Sequence, residues 1–591
     1  MKKINIYRMF IMPLSSFVCA AAAAQNLDPT VVVSRDYEGK LMEVHKPKIE
    51  MAVPDSVLRF DLEFDYSVSD SPYKGAYDFT PYVLDMKPSP TYRHNSRLYL
   101  NAGAGYQFHP ELDLVWSPAL KSEAFKMNVF AHHRSYIGKW WNIAAADTDA
   151  GIVFDRVGKD ALERDWSGED LVSNAGFNGK YDWEDGALRF DAGYYGIYQN
   201  ERKEAGRSFN ALDLSLDLAS KAKAGSRFGY KAGVAYRYGS DAYDSPVSGN
   251  LALSENLLDI DASVYTSFRR HRLGLDVEYG MAGYTGFLTS NAALLSLSPH
   301  YTMKYGRFDI DLGLTLSKVF RGAEMQGMFQ DKIQSLYPDV KVGFRALPST
   351  YMYVEFGGGA RMNTYSSLLQ SDRRIGILYG RERYPLLDMT DERISAVVGV
   401  DGNIRSRFSY SLKGGFANYG NAPLDALSAG YAAGGTAWYP ALFYGRYGKA
   451  FIRLQWMLDA ERIDFGGSLQ YAKYRNRTDA ADQLAVFMPA SLTGDLSVRY
   501  NWKNRLYAGL ECEFASARQG KFGSAQSEEV MTYTASRIPG YADLGLELEY
   551  ILNRKFSLWV KGGNLLNMTI QRSLMYAEKG PYFTLGFCLN L

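Results

Sequence analysis

The stretch GPYFTLGFCLNL, residues 580–591, decides the fold. Phe583, Leu585, Phe587, Leu589 and Leu591 fall on one side of an extended chain, and Thr584, Gly586, Cys588 and Asn590 on the other. Successive side chains of a strand point to opposite faces, so this strand keeps one face wholly apolar and the other small and polar. Placed last, it suits the closing strand of a ring. The rest of the sequence must then supply the other strands.

It does so throughout. Residues 207–219 put Leu212, Leu214, Leu216 and Leu218 against Asp213, Ser215 and Asp217. Residues 306–318 oppose Phe308, Ile310, Leu312, Leu314 and Leu316 to Asp309, Asp311, Thr315 and Ser317. The same alternation runs through 491–502 and 541–550. A period of two held for this long describes an amphipathic strand, not a helix. Globular strands average about five or six residues, whereas crossing a bilayer takes ~9–11. The pattern predicts about 22 strands between residues 96 and 591, beginning 96–107, 108–117 and 122–133 and ending 540–552, 554–566 and 580–591. From the third strand on, tight turns such as WEDG (183–186) alternate with long loops at 134–170, 319–334, 363–391, 419–447, 476–487, 518–539 and 567–579. That alternation collects every long loop at one end, which is the topology of an outer-membrane barrel. Lipid tolerates no open sheet edge, so the last strand has to pair with the first. A soluble propeller or β-helix would carry a repeat of fixed length, and none is present. The expected class is all-β, a transmembrane antiparallel barrel of about 22 strands with long extracellular loops and short periplasmic turns.

Composition agrees. Of 591 residues 14% are aromatic, 44 of them Tyr, and the formal net charge of +1 offers no basic excess with which to bind nucleic acid. Lys2, Lys3 and Arg8 precede a short apolar run to Cys19, and AAAAAQN supplies a cleavage site after Ala24, so residues 1–24 read as a signal peptide. Phe17 and Val18 are too large for lipoprotein processing at Cys19. Cys512 falls in the apolar series of its strand and Cys588 in the polar series of its own, so the two are expected to be structural and unbridged.

Catalytic patterns are not found. None of the seven His sits in an H-x-x-x-H or H-E-x-x-H pattern, and no nucleophile elbow, dinucleotide fingerprint or P-loop occurs. His132 and His133 point to opposite faces of one strand and share no metal. The expectation is therefore no enzyme, no catalytic residue, no metal and no cofactor. Asp213, Asp217, Asp309, Asp311, Glu511, Glu513, Asp543, Glu547 and Glu549 read as the lining of a water-filled lumen, cross-linked into ion ladders by Arg307, Arg499 and Lys561. Trp140 and Trp141, in loop 134–170, have two readings: extracellular contacts for a glycan, peptide or membrane protein, or part of the interfacial aromatic girdle. Arg373, Arg374, Arg381 and Arg383 of loop 363–391 are expected to pack the loop.

The segment WVKGGNLLNMTIQRSLMYAEKGPYFTLGFCLNL (559–591) resembles the last two strands of TonB-dependent receptors, in which an N-L-x-N turn follows the penultimate strand. Asn564, Leu565, Leu566 and Asn567 match that turn. The resemblance is architectural over 96–591, is specific to residues only over 556–591, and is most like plug-poor members from Bacteroidota-type bacteria. Two features depart from the family. The chain ends on Leu591 where an aromatic is usual, and only residues 25–95 precede the barrel, too few for a plug domain. They read as a periplasmic or lumenal extension, with 57–69 and 81–88 as two further wall strands in an alternative count of 24. Within DPTVVVSRDYEG (28–39), Thr30, Val31, Val32, Val33 and Ser34 resemble a TonB-binding box, which works by adding a strand to a partner's sheet edge; the alternative is an ordinary β-prone segment. The resemblance implies the outer membrane of a Gram-negative bacterium and TonB-energised nutrient uptake, with lipid and TonB as partners. Two rivals stand beside uptake: a scaffold or assembly subunit whose lumen a second protein fills, and a passive diffusion channel.

Overall fold

The computed structural model describes residues 97–591 apart from 107, 121, 123, 159–162, 202–204, 222–226, 246–248, 323–332, 376–384, 405–406, 433–434, 478–481 and 528–529. The signal peptide, the extension 25–95 and the box-like residues 30–34 lie outside the described residues. Among the described residues are 27 strands and one short helix, Tyr365–Ser371 (α1). Five strands belong to loops: Ile143–Thr148, Gly151–Arg156, Leu484–Phe487, Arg518–Ser527 and Val530–Ile538. The other 22 form an antiparallel ring in chain order. The first wall strand, Leu98–Gly105, pairs on one side with Glu111–Trp116 and on the other with the last, Tyr582–Asn590, from Tyr99↔Asn590 to Gly105↔Thr584. The ring is therefore complete at 22, and the alternative of 24 wall strands is not met.

The alternation places the two faces as the physics of lipid requires. Large apolar side chains such as Leu212, Leu214, Leu216, Ile260 and Leu312 are exposed on the outside, where hydrocarbon would cover them. Phe583, at 55% exposure, and Leu591, at 47%, belong to the same outer face of the last strand. Their neighbours in sequence turn inward. At the seam the inward Trp559 of Phe556–Gly563 is only 2% exposed. It lies over Gly103 and Gly586, on the two strands that close the ring, where any Cβ would collide with its rings. Its Nε1 donates to Asn101 Oδ1 at 2.6 Å, and Asn101 Nδ2 in turn donates to Asp113. One tryptophan thus spans the seam. Cys512 and Cys588 are unbridged.

Four of the expected loops, 134–170, 419–447, 476–487 and 518–539, contain strand. Residues 419–447, expected as a loop, are the upper part of two 25-residue strands, Phe408–Ala432 and Gly435–Asp459, that run far past the rim. Loops 134–170 and 518–539 each hold a hairpin. Together these form an upper extension of the same 27-stranded sheet, above the rim. Leu484–Phe487 pairs with both Phe408–Ala432 and Arg518–Ser527, and Val530–Ile538 pairs in parallel with Gly151–Arg156. The reason alternation missed them is physical. Above the rim no face meets lipid, so a strand there carries no period-two apolar series.

Candidate functional site

The inward faces of the wall are polar and tied across strands. Arg237 forks onto Asp213, with Nη2 3.1 Å from Oδ2. His300 Nδ1 is 3.1 Å from Asp276, and Arg499 Nη2 is 3.5 Å from Glu549. Arg134 and His132 both meet Asp113, at 2.7 and 2.9 Å, while His133, on the other face, bonds Ser173 at 2.8 Å. Lys561 Nζ is 4.0 Å from Glu111. Arg307, in contrast, reaches the Ala346 carbonyl in a tight turn and joins no ladder. Among the described residues no group of three or more His, Cys, Asp or Glu is placed to hold a metal ion.

Two loops fold into this lumen from the loop end. The first, described over 363–375 and 385–388, carries α1. Thr364 caps the helix, its side-chain oxygen accepting from the Ser367 N–H at 3.2 Å. The helix then presents Leu368 and Leu369 to inward-facing Phe209, Leu253, Leu257 and Ala282. Tyr365 donates its hydroxyl to Asp241. Glu255 accepts from the Ser366 N–H at 3.1 Å and from Tyr284 at 2.9 Å. Arg207 donates to the carbonyls of Arg373 and Ile375. Asn363 and Asn421 both bond Asp388 and fix the loop's base.

The second loop, 564–581, leaves the penultimate strand at the family-like turn. Asn564 and Asn567 both adopt the left-handed conformation, φ 47° and 50°, which Asn tolerates better than other side chains. Asn564 is fully buried, and its side chain bonds the backbone of Met568 in both directions and the carbonyl of Lys579, while Leu565 and Leu566 are exposed. Farther along, Arg572 meets Glu513 at 2.6 Å, Asp543 at 3.2 Å and Glu578 at 3.7 Å. Burial opposes its charge, but Glu513, Tyr541 and Glu578 outweigh that and push its pKa up. Leu574 and Ala577 pack with Phe154, Leu427, Phe487 and Ile538 of the upper sheet. Lys579 Nζ sits 2.6 Å from His109 Nε2 and 3.8 Å from the centre of the Tyr582 ring.

The loops meet inside the ring. Ser573 Oγ donates to Asp372 Oδ1 at 2.5 Å, and the Arg374 guanidinium lies 4.8 Å from the centre of the Tyr576 ring. Arg374 also covers Trp140 and Trp166, which are stacked with centroids 4.6 Å apart, and both Arg373 and Arg374 reach Asp170. Trp140, 4% exposed, therefore sits on a strand, Phe125–Trp141, as part of this buried stack. Trp141 packs on the upper-sheet core with Arg156 over its ring, 4.3 Å from the centroid. Neither stands as a free loop aromatic. Arg373 and Arg374 pack their loop as the sequence suggests, and Arg381 and Arg383 lie outside the described residues. The inward helix went unread, although its signal was present: Thr364 followed by Leu368 and Leu369 is a capped turn with one apolar face.

Solved structures share this architecture. The FrpB iron transporter from Neisseria meningitidis superposes with a TM-score of 0.58 at 11% identity, over 84% of this chain and 81% of that one. The siderophore receptor PirA from Acinetobacter baumannii gives 0.59 at 10%, over 84% and 80%. The ferric-catecholate import receptor Fiu from K12 E. coli gives 0.57 at 9%, over 85% and 82%. The likeness is one of fold, a closed 22-stranded antiparallel barrel. No family model matches the chain, and no curated protein does.

Proposed function

We propose that this protein imports a nutrient across the outer membrane of a Gram-negative bacterium, through a lumen closed by its own loops. The observation that carries the reading is the charged, ion-paired inner wall of a closed ring that shares its fold with import receptors. In this reading residues 1–24 direct export, residues 25–95 form a short extension in place of a plug, and Thr30–Ser34 engage TonB by strand addition. Wall lipid contacts come from the outer apolar series, and no catalytic step is required. Deleting residues 28–36 tests it. Cells dependent on the protein should lose growth under nutrient limitation while surface levels of the barrel stay unchanged; retained growth removes the TonB-energised reading.

A scaffold that holds partner proteins at the outer membrane is the second reading. It is favoured by the upper sheet and its apolar core, which closure of the 22-stranded ring does not require. For a scaffold, the same deletion leaves co-purifying partners in place.

A further inference from the structure

The upper extension ends on two edges of opposite character. In pairing order it runs from the upper half of Gly435–Asp459 through Phe408–Ala432, Leu484–Phe487, Arg518–Ser527, Val530–Ile538 and Gly151–Arg156 to Ile143–Thr148. At the first end Pro440 interrupts the edge. Leu442 packs there with Leu368 and Leu386 of the inward loop, and Tyr444 donates to the Leu386 carbonyl at 3.1 Å. A proline on an edge strand withholds an N–H and discourages further pairing.

The other end has no such guard. Among the described residues Ile143–Thr148 pairs with Gly151–Arg156 alone, and every residue from Ala144 to Thr148 is exposed. Thr148 and Gly151 flank a two-residue turn, so Ala144, Ala146 and Thr148 bond the partner strand. The same phase continues at Asn142, whose carbonyl accepts from the Val157 N–H at 2.9 Å. Ala145 and Asp147 therefore turn their N–H and C=O groups to the open side. No Pro, Lys or bulge lies within the strand, and its three alanines leave room for close approach. The exposed carboxylates of Asp147, Asp149 and Asp155 surround it.

We propose that Ile143–Thr148 is a strand-addition site, taken by an extended segment of a partner protein that carries Lys or Arg. Backbone bonds to Ala145 and Asp147 supply the affinity, and the three carboxylates select basic side chains. A second copy of this chain is a poor occupant. Gly151–Arg156 runs parallel to Val530–Ile538, which leads down into the wall strand Tyr541–Asn553, so Ile143–Thr148 ascends. Two copies in one membrane share that direction, meet here only in parallel, and bring their acidic hairpin tips together. The edge lies above the rim, so the inference stands independently of the uptake reading.

The test is fluorescence anisotropy with the full chain in detergent micelles and a labelled octapeptide alternating Lys and Thr. The probe should bind saturably, and roughly tenfold tighter than an octapeptide alternating Glu and Thr. An octapeptide alternating Lys and Pro, equal in charge but unable to pair as a strand, should bind as weakly as the Glu peptide. Ala145→Pro removes one outward N–H, leaves the bonds to Gly151–Arg156 in place, and should weaken binding roughly tenfold. Asp147→Asn with Asp149→Asn keeps the backbone and should weaken binding about threefold while flattening its salt dependence. Retention of the fast-migrating band on unheated gels reports a folded ring for each variant. The proposal is overturned if the Lys–Thr probe does not bind, if the Lys–Pro peptide binds equally well, or if the folded variants match the wild type. A dimer in sedimentation that Ala145→Pro abolishes overturns it in favour of a second copy.

Discussion

Trp559 concentrates more of the ring's integrity than any sequence pattern suggests. It is large, inward and nearly fully buried, and it bonds across the seam to Asn101. Trp559→Ala should cost about 3–5 kcal/mol, as for other large-to-small changes at buried sites. Trp559→Phe should cost about 1–3 kcal/mol, chiefly through the indole N–H that Asn101 loses. Urea unfolding of the micelle-bound barrel, followed by the gel shift of unheated samples, measures both. Asp372 makes a different prediction. Burial raises its pKa above the ordinary 3.8, against the lowering effect of Ser573 and the Arg374 N–H, with Asp425 raising it further. A carboxyl raised in the folded state favours that state at acid pH, and the advantage is lost as pH climbs through the raised pKa. The joint between the loops should therefore be tightest below about pH 4 and loosen above it, and Asp372→Asn should flatten the profile. Protease nicking of residues 564–581 as a function of pH reads this directly; a profile as steep in the variant refutes it.

At the scale of the element, the strand's two faces are not equivalent to substitution. Leu214→Arg places a charge on the lipid side of Ala205–Ser220 and should cost about 2–4 kcal/mol if it lies near the bilayer midplane. Ser215→Arg, one residue on, faces the lumen and should cost well under half of that. Parallel unfolding titrations in lipid vesicles decide the comparison. This difference explains why the wall was legible from sequence and the loops were not. Lipid imposes a period of two on Leu212, Leu214 and Leu216, and the register follows. In α1, Leu368 and Leu369 answer instead to the inner faces of strands 86 to 160 residues earlier, and nothing local beside them announces those partners. The Ala- and Gly-rich upper strands of 419–447 likewise carry no apolar alternation, because their pairing lies wholly above the rim.

For the whole molecule, ring closure was legible because membrane physics allows nothing else, and strand number followed from counting turns. What crosses the lumen was not legible, since it depends on which loops fall inward. Removing residues 582–591 should leave a chain that binds micelles yet never reaches the compact, fast-migrating form, because two edges stay unpaired. The seam also constrains how the protein is made. Trp559 and Asn101 stand 458 residues apart in the chain, whereas most other wall strands pair with a neighbour in sequence. Hairpins can form early and locally, but the joining of Leu98–Gly105 to Tyr582–Asn590 has to be the slowest event, since it brings the two most distant strands together. Until then each end is a bare edge ready to pair with any strand offered. The lifetime of that unfinished sheet, more than the stability of the finished one, is what assembly has to manage.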